Sequence, residues 1–307
     1  MTREEFSPTI RCGTPSSVSA RTRMIAPRSH QFKSLSAHGF HRVVYREWGD
    51  PDNPRVVTCV HGLTRNGRDF DVLAQRLAGS FRLLCPDMPG RGDSEWLRDP
   101  NDYSFATYLP TLTALLAHAR ADRVAWVGTS MGGLLGMVMA AQPETPVTRL
   151  VVNDVGPVIE GAALARIAAY VGLDPAFDSF ASLEAHIREV SAPFGTLTEA
   201  QWNTLARTTA RESPDGRWRL KYDPGIGVPF RAAAAQNSDL WAIWDAIQCP
   251  TLLLRGAQSD LLSSATAAEM RSRGPEPEFV EVPGVGHAPM LLSEEQIAPV
   301  EAFLDRG

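Results

Sequence analysis

Val127-Gly128-Thr129-Ser130-Met131-Gly132-Gly133 is the stretch on which the reading of this chain turns. It fits the pattern G-x-S-x-G, with a strand-like run, Arg123–Val127, before it and a helix-like run, Met131–Ala141, after it. The pattern alone says little, since average residue usage yields roughly 0.1 chance matches in a chain of this length. The strand–turn–helix setting is what gives it weight. So tight a turn leaves no room for side chains two residues either side of the serine, hence Gly128 and Gly132. The Ser130 hydroxyl is left exposed at a strand end and near a helix N-terminus, as a nucleophile in need of a base.

Outward from this point the chain alternates. Strands are expected at Phe40–Glu47, Arg55–Val60, Phe81–Cys85, Arg123–Val127 and Arg149–Val152, with helices at Phe70–Ala78, Phe105–Ala119 and Met131–Ala141 between them. That order predicts an α/β fold, a mostly parallel sheet with helices on both faces. The alternation stops from about Gly156 to Ala246. Four helical patterns fill this interval, Ala162–Tyr170, Ser182–Val190, Glu199–Arg207 and Phe230–Trp244, broken by a polar turn (Glu212–Gly216) and a Pro/Gly-rich loop (Asp223–Pro229). The sheet pattern resumes with Thr251–Arg255, helix Ser264–Arg273, strand Glu278–Val282 and helix Glu294–Asp305. The expected organisation is one core, residues 29–155 and 247–307, interrupted by a helical insertion at 156–246.

A serine hydroxyl attacks only when a base takes its proton. Of the seven histidines, His287 has the right setting: Gly284-Val285-Gly286-His287-Ala288-Pro289 lies between the last strand and the last helix. The imidazole in turn needs an acid to fix its tautomer. Asp260, in Arg255-Gly256-Ala257-Gln258-Ser259-Asp260, is preferred because it follows a strand and gives the order Ser…Asp…His. Asp154, in Val152-Asn153-Asp154-Val155-Gly156-Pro157, competes for the role, with anchoring of the insertion as its alternative use. Donors for a developing oxyanion are expected from the backbone N–H groups of Leu63, in His61-Gly62-Leu63-Thr64, and of Met131. His61 reads as a loop anchor. Arg65 and Asn66 either face the pocket or stabilise the turn, and Asp87-Met88-Pro89-Gly90-Arg91-Gly92-Asp93-Ser94 reads as a shaped scaffold loop.

Composition limits the alternatives. Apolar residues form 44% of the 307 and charged residues 21%, so a buried core is feasible. The net charge of −5 argues against the basic surface of a nucleic-acid binder. Cys12, Cys59, Cys85 and Cys249 form no C-x-x-C pair and no zinc spacing, which suits a reducing cytoplasm. No apolar run reaches the roughly 20 residues that span a bilayer. Residues 1–28, polar and rich in Ser, Thr and Arg, read as a disordered leader or as sequence upstream of a true start at Met24; a transit peptide is a further alternative.

Five segments, in order, carry a family resemblance: H-G-L at 61–63, D-M-P-G-R-G-D-S at 87–94, G-T-S-M-G-G at 128–133, R-G-A-Q-S-D at 255–260 and G-V-G-H at 284–287. From about His30 onward the chain resembles the α/β-hydrolase superfamily. The resemblance implies an eight-stranded, mostly parallel sheet, a helical cap at 156–246, no metal and no organic cofactor. It implies a small-molecule substrate, an ester, thioester or lactone cleaved through an acyl-enzyme. Carbon–carbon bond hydrolysis and cofactor-free haloperoxidase or perhydrolase chemistry are alternatives for the same triad. Ser130 in place of an aspartate sets the chain apart from haloalkane dehalogenases and epoxide hydrolases. Trp202, Trp218, Trp241 and Trp244 lie in or beside the insertion, as packing residues or, for one or two, as pocket lining. No nucleic-acid or membrane partner is expected, and a homo-oligomer is left open.

Overall fold

Runs of Val, Leu and Ile flanked by turn residues set the strands, and the side-chain period of two sorts each strand's residues to opposite faces. The computed structural model describes residues 25–159, 161–234 and 239–306. Its core opens with β1 (Arg28–Ser36), β2 (Gly39–Trp48), β3 (Val56–Val60), α1 (Asp71–Leu77) and β4 (Arg82–Asp87). It continues with α2 (Phe105–Ala119), β5 (Val124–Thr129), α3 (Met131–Ala140) and β6 (Val147–Asn153). An inserted segment follows, with α4 (Gly161–Tyr170), α5 (Phe180–Val190), α6 (Glu199–Thr209), β7 (Ala210–Glu212), β8 (Trp218–Leu220), α7 (Gly227–Ala234) and α8 (Trp241–Asp245). The core then closes with β9 (Thr251–Gly256), α9 (Ser264–Met270), β10 (Glu278–Val282) and α10 (Glu294–Leu304).

Eight strands form one sheet in the order β1-β2-β4-β3-β5-β6-β9-β10. β2 runs antiparallel to both β1 and β4, and the remaining pairs are parallel. The sheet's interior strands show the sorting directly. Trp126, Leu150 and Val152 face one side, where Leu112 and Leu115 of α2 and Leu135 of α3 cover them. Val57, Cys59, Val127 and Val151 face the other, under Leu73 and Leu77 of α1 and Val300 and Phe303 of α10. The long connection between β6 and β9, neighbours in the sheet, leaves that register intact: Leu150 pairs with Thr251 and Asn153 with Leu254.

Two expectations need correction, and two strand features were not anticipated. Arg28 already opens β1 and so belongs to the core; residues 1–24 lie outside the described structure, and Cys12 with them. β1 itself escaped the reading because only Phe32 and Ser34 of its nine residues are buried, which leaves little apolar alternation to detect on an edge strand. Within the insertion, Glu212–Gly216 is the turn of a small hairpin, since β7 pairs with β8 from Ala210↔Leu220 to Glu212↔Trp218. Three-residue strands of mixed charge carry no periodic signal. The stretch Phe230–Trp244 is not one helix: α8 begins anew at Trp241, whose amide donates to Asp239 Oδ1 at 2.9 Å.

The tightest contact of the core lies under the Ser130 turn. A Cβ on Gly132 would stand 1.9 Å from the Val60 carbonyl oxygen, and one on Gly128 2.2 Å from the Gly132 carbonyl oxygen. Both obstacles are backbone and cannot swing aside. Gly132→Ala is expected to destabilise the fold by about 3 kcal/mol or more. Gly79→Ala, where nothing lies within 4 Å, is expected to stay within about 0.5 kcal/mol. Urea unfolding of the two variants checks this; equal midpoints would remove the steric account of the turn.

Candidate active site

Ser130 sits between β5 and α3 with φ 53° and ψ −116°, a backbone conformation that a residue with a side chain adopts only under constraint. Its N–H donates to Asn153 O at 3.0 Å, and its carbonyl accepts from Gly133 and Leu134 in the first turn of α3. Trp126 Nε1 donates to Gly132 O at 3.0 Å and fixes that turn from below. The Oγ is thereby lifted off the sheet end, where His287 Nε2 lies 2.9 Å away. The loop that bears His287 is held by Asn153, whose Nδ2 donates to Pro289 O at 2.8 Å and to Thr129 Oγ1 at 3.0 Å.

The other ring nitrogen, Nδ1 of His287, stands 2.8 Å from Oδ2 of Asp154, not of Asp260. Asp154 is fully buried at the end of β6. Its carboxylate also accepts from Gly256 N at 2.9 Å and from Ser259 Oγ at 2.7 Å. With a carboxylate facing Nδ1, that nitrogen carries the proton and Nε2 is free to accept the Ser130 hydroxyl proton. Asp260, the residue expected here, points the other way. Its side chain is half exposed and takes a bidentate ion pair from Arg166 of α4, at 2.7 and 2.9 Å. The reason is local: Ser259 turns inward to cap Leu261 and Leu262 and to meet Asp154, which swings the next side chain outward. The adjacency of β5 and β6 could have indicated Asp154, since it puts the residue after β6 beside the residue after β5.

The loop after β3 is positioned by buried polar side chains. Gly62 approaches so near that a Cβ on it would lie 3.6 Å from Ser130 Cβ. His61 is fully buried; Met88 N donates to its Nε2 at 2.9 Å, and its Nδ1 donates to Gly62 O at 2.7 Å. Burial pushes its pKa down to about 3, so it is a neutral anchor of the loop. Arg91, also buried, donates to Leu63 O at 2.8 Å and to Pro89 O and Tyr108 Oη at 2.7 Å. Asp87 accepts from Gly67 N and Asp93 N at 2.8 Å each; burial raises its pKa against the pull of Arg46. The segment 87–94 thus shapes the loop above it. Asn66 is buried and caps a short helical turn, while Arg65 forms a close pair with Asp69, both lining the cavity described next.

Two chambers open beside Ser130. One, of about 240 Å³, is lined by His287, Arg65, Arg166, Tyr170 and His186 among others. The other, of about 410 Å³, is lined by Met131, Leu134, Ile159, Leu164 and Phe230 among others. Leu63, Ser130 and Ile167 border both. The inserted segment therefore supplies walls to each. None of Trp202, Trp218, Trp241 and Trp244 lines either chamber; Trp244 is buried with its Nε1 on Met270 O and Arg273 O. The aromatic lining comes from Tyr170, Phe194 and Tyr222 on one side and Tyr103, Phe105, Tyr108 and Phe230 on the other. Among the described residues, no helix is long and apolar enough to cross a membrane.

A mostly parallel sheet carrying a strained serine turn, with a histidine and a carboxylate in line, defines a hydrolase of the α/β class. The model of the Alpha/beta hydrolase family matches residues 59–305, and the chain belongs to that family. A 3-hydroxybutyrate-oligomer hydrolase of Cupriavidus necator is 46% identical over 286 residues, covering 91% of this chain and 98% of that one. A pimeloyl-[acyl-carrier protein] methyl ester esterase of Xanthomonas campestris is 26% identical over 249 residues, 79% of this chain and 92% of that one. The crystal structure of an alpha/beta hydrolase from Novosphingobium aromaticivorans superposes with a TM-score of 0.82 at 40% identity, covering 92% of this chain and 99% of that one.

Two expectations follow from this geometry. Asp154→Asn, which leaves Nδ1 of His287 facing an amide, is expected to lower kcat by about 10⁴-fold, whereas Asp260→Asn stays within about threefold. Steady-state kinetics of the pair decides, and the reverse ranking would restore Asp260 to the role. The second concerns pH. Below pH 6.5 the unfolded chain protonates His61, while the folded chain does so only near pH 3. Stability is therefore lost as pH falls through that window, by up to ~1.4 kcal/mol per unit. Between pH 6.5 and 5.0, wild type should lose about 1.5 kcal/mol more than His61→Gln in urea unfolding; parallel losses would contradict a neutral buried imidazole.

Proposed function

We propose that the protein hydrolyses carboxylic ester bonds through an acyl-enzyme on Ser130, with short oligoesters of a 3-hydroxy acid as its substrate class. The observation that carries the chemistry is the continuous chain Ser130 Oγ–His287–Asp154 at 2.9 and 2.8 Å. The substrate class is supported by the 46% identical relative, whose name specifies 3-hydroxybutyrate oligomers.

In acylation, Ser130 Oγ attacks the ester carbonyl carbon as His287 Nε2 takes the hydroxyl proton. The carbonyl oxygen becomes an oxyanion between the N–H groups of Leu63 and Met131, neither of which donates to another protein group among the described residues. Collapse breaks the ester C–O bond, and His287 passes the proton to the leaving alkoxide. A water molecule then gives its proton to His287 and attacks the acyl carbon. Breaking the acyl–Ser130 bond returns the proton to Oγ and frees the acid. Asp154 stabilises the imidazolium that forms twice in this cycle. The insertion, residues 156–246, acts as the cap that walls the substrate from water.

The trimer of 3-hydroxybutyrate is the direct substrate for a test. Wild type is expected to consume it, Ser130→Ala to be slower by about 10⁴-fold or more, and a fluorophosphonate to label Ser130 in the folded protein. An unlabelled Ser130 together with equal rates for the two proteins would overturn the mechanism. Labelling without turnover of the trimer, but with turnover of simple esters, would overturn the substrate class alone.

A further inference from the structure

The two chambers differ in chemistry, and the reaction assigns each a different half of the substrate. The tetrahedral carbon carries Ser130 Oγ, the oxyanion, the acyl chain and the leaving oxygen. The leaving oxygen must receive its proton from His287 Nε2, so the leaving group lies on the side where His287 forms the wall. His287 lines the 240 Å³ chamber and not the 410 Å³ one; Met131 lines only the larger. The acyl chain, directed away from His287, therefore enters the larger chamber.

Charge divides the same way. Among the described residues, the larger chamber is lined by no charged side chain, and Leu134, Ile159, Leu164 and Phe230 make it apolar. The smaller is lined by Arg65, Asp69 and Arg166. Arg65 is committed, since both Nε and Nη2 bond to Asp69 and both side chains are largely buried. Arg166 is different. Its partner Asp260 lies outside the chamber lining, and both members of that pair are about half exposed. An exposed pair of this kind is weak, and its guanidinium turns to a second carboxylate without stranding a buried charge. The fork of an arginine matches a carboxylate at two points.

We infer that Arg166 receives a carboxylate on the leaving alcohol, so that the enzyme removes terminal hydroxy-acid units from the free-carboxyl end of an oligoester. The remaining oligomer, which carries no charge, occupies the apolar chamber as the acyl group. This rests on the ester-hydrolysis reading above. It goes beyond that reading by fixing the direction of attack and the residue that sets it. The atoms balance as in any ester hydrolysis: one ester C–O bond is broken, one water consumed, one hydroxy acid released per cycle.

The test uses 3-hydroxybutyrate trimer carrying an isotope label in its carboxyl-terminal unit, and the methyl ester of the same trimer. Wild type is expected to release labelled monomer and unlabelled dimer first. Arg166→Gln should lower kcat/KM on the free-acid trimer by about tenfold or more and on the methyl ester by less than about twofold. The methyl ester doubles as the control for correct folding of the variant. Labelled dimer as the first product overturns the assigned direction. Equal losses on acid and methyl ester overturn the role of Arg166. Wild type that cleaves neither compound and leaves Ser130 unlabelled by fluorophosphonate removes the ester-hydrolysis reading itself, an outcome distinct from the other two.

Discussion

Gly132 and the Val60 carbonyl are packed so closely that no carbon atom fits between them, and the position of the candidate site follows from that contact. It presses the first turn of α3 onto the end of β3. The chain between β5 and α3 must then reverse within a few residues, which forces Ser130 to a positive φ and points its side chain away from the sheet. The same closeness draws the loop after β3 against the serine, so that Gly62 and Leu63 border it. One steric constraint thus places both the Ser130 hydroxyl and the amides that would face an oxyanion. The strain at Ser130 persists because a buried core on both faces of the sheet and the Trp126 hydrogen bond to Gly132 hold the turn from below.

Above that turn, the precision comes from buried polar groups with fully assigned partners. Asp154, His61, Asp87 and Arg91 are all inaccessible to water, and each bonds to backbone atoms at or just beyond the strand ends that carry the site. A loop is free to wander unless its peptide groups are satisfied, and these side chains satisfy them from inside the protein. Arg91 is the extreme case: a buried guanidinium that holds carbonyls at Leu63 and Pro89 and stacks over Tyr103 and Tyr108. Such a network makes the site a rigid object in a region that would otherwise be mobile.

Much of this was readable from residue order. Seven of the eight sheet strands announce themselves as apolar runs, and the serine turn by its glycines, because core burial and steric exclusion both act on residue type directly. His287 was legible for the same reason, through the glycines around it. Asp260 was misread because a carboxylate four residues past a strand end is placed by the path of the loop, which composition does not encode; Ser259 takes the inward position instead. β1 was hidden by its polar sequence, and the β7–β8 hairpin by its brevity. The tryptophans of the insertion invited a pocket role that the structure gives to tyrosines and phenylalanines from several segments.

The placement of Asp154 bears on how the inserted segment can change. Ser130 and Asp154 stand at the ends of β5 and β6, adjacent strands that both precede the insertion, and His287 arrives from beyond it. The β6–β9 pairing, Leu150 to Asn153 against Thr251 to Leu254, closes the gap independently of what lies between. The chain is in effect a frame with an open bay, residues 156–246, tied to the frame where Pro193 O accepts from Gly286 N, beside His287, at 2.7 Å. Relining that bay would change what the two chambers admit while the ends of β5 and β6, with Ser130 and Asp154, keep their places.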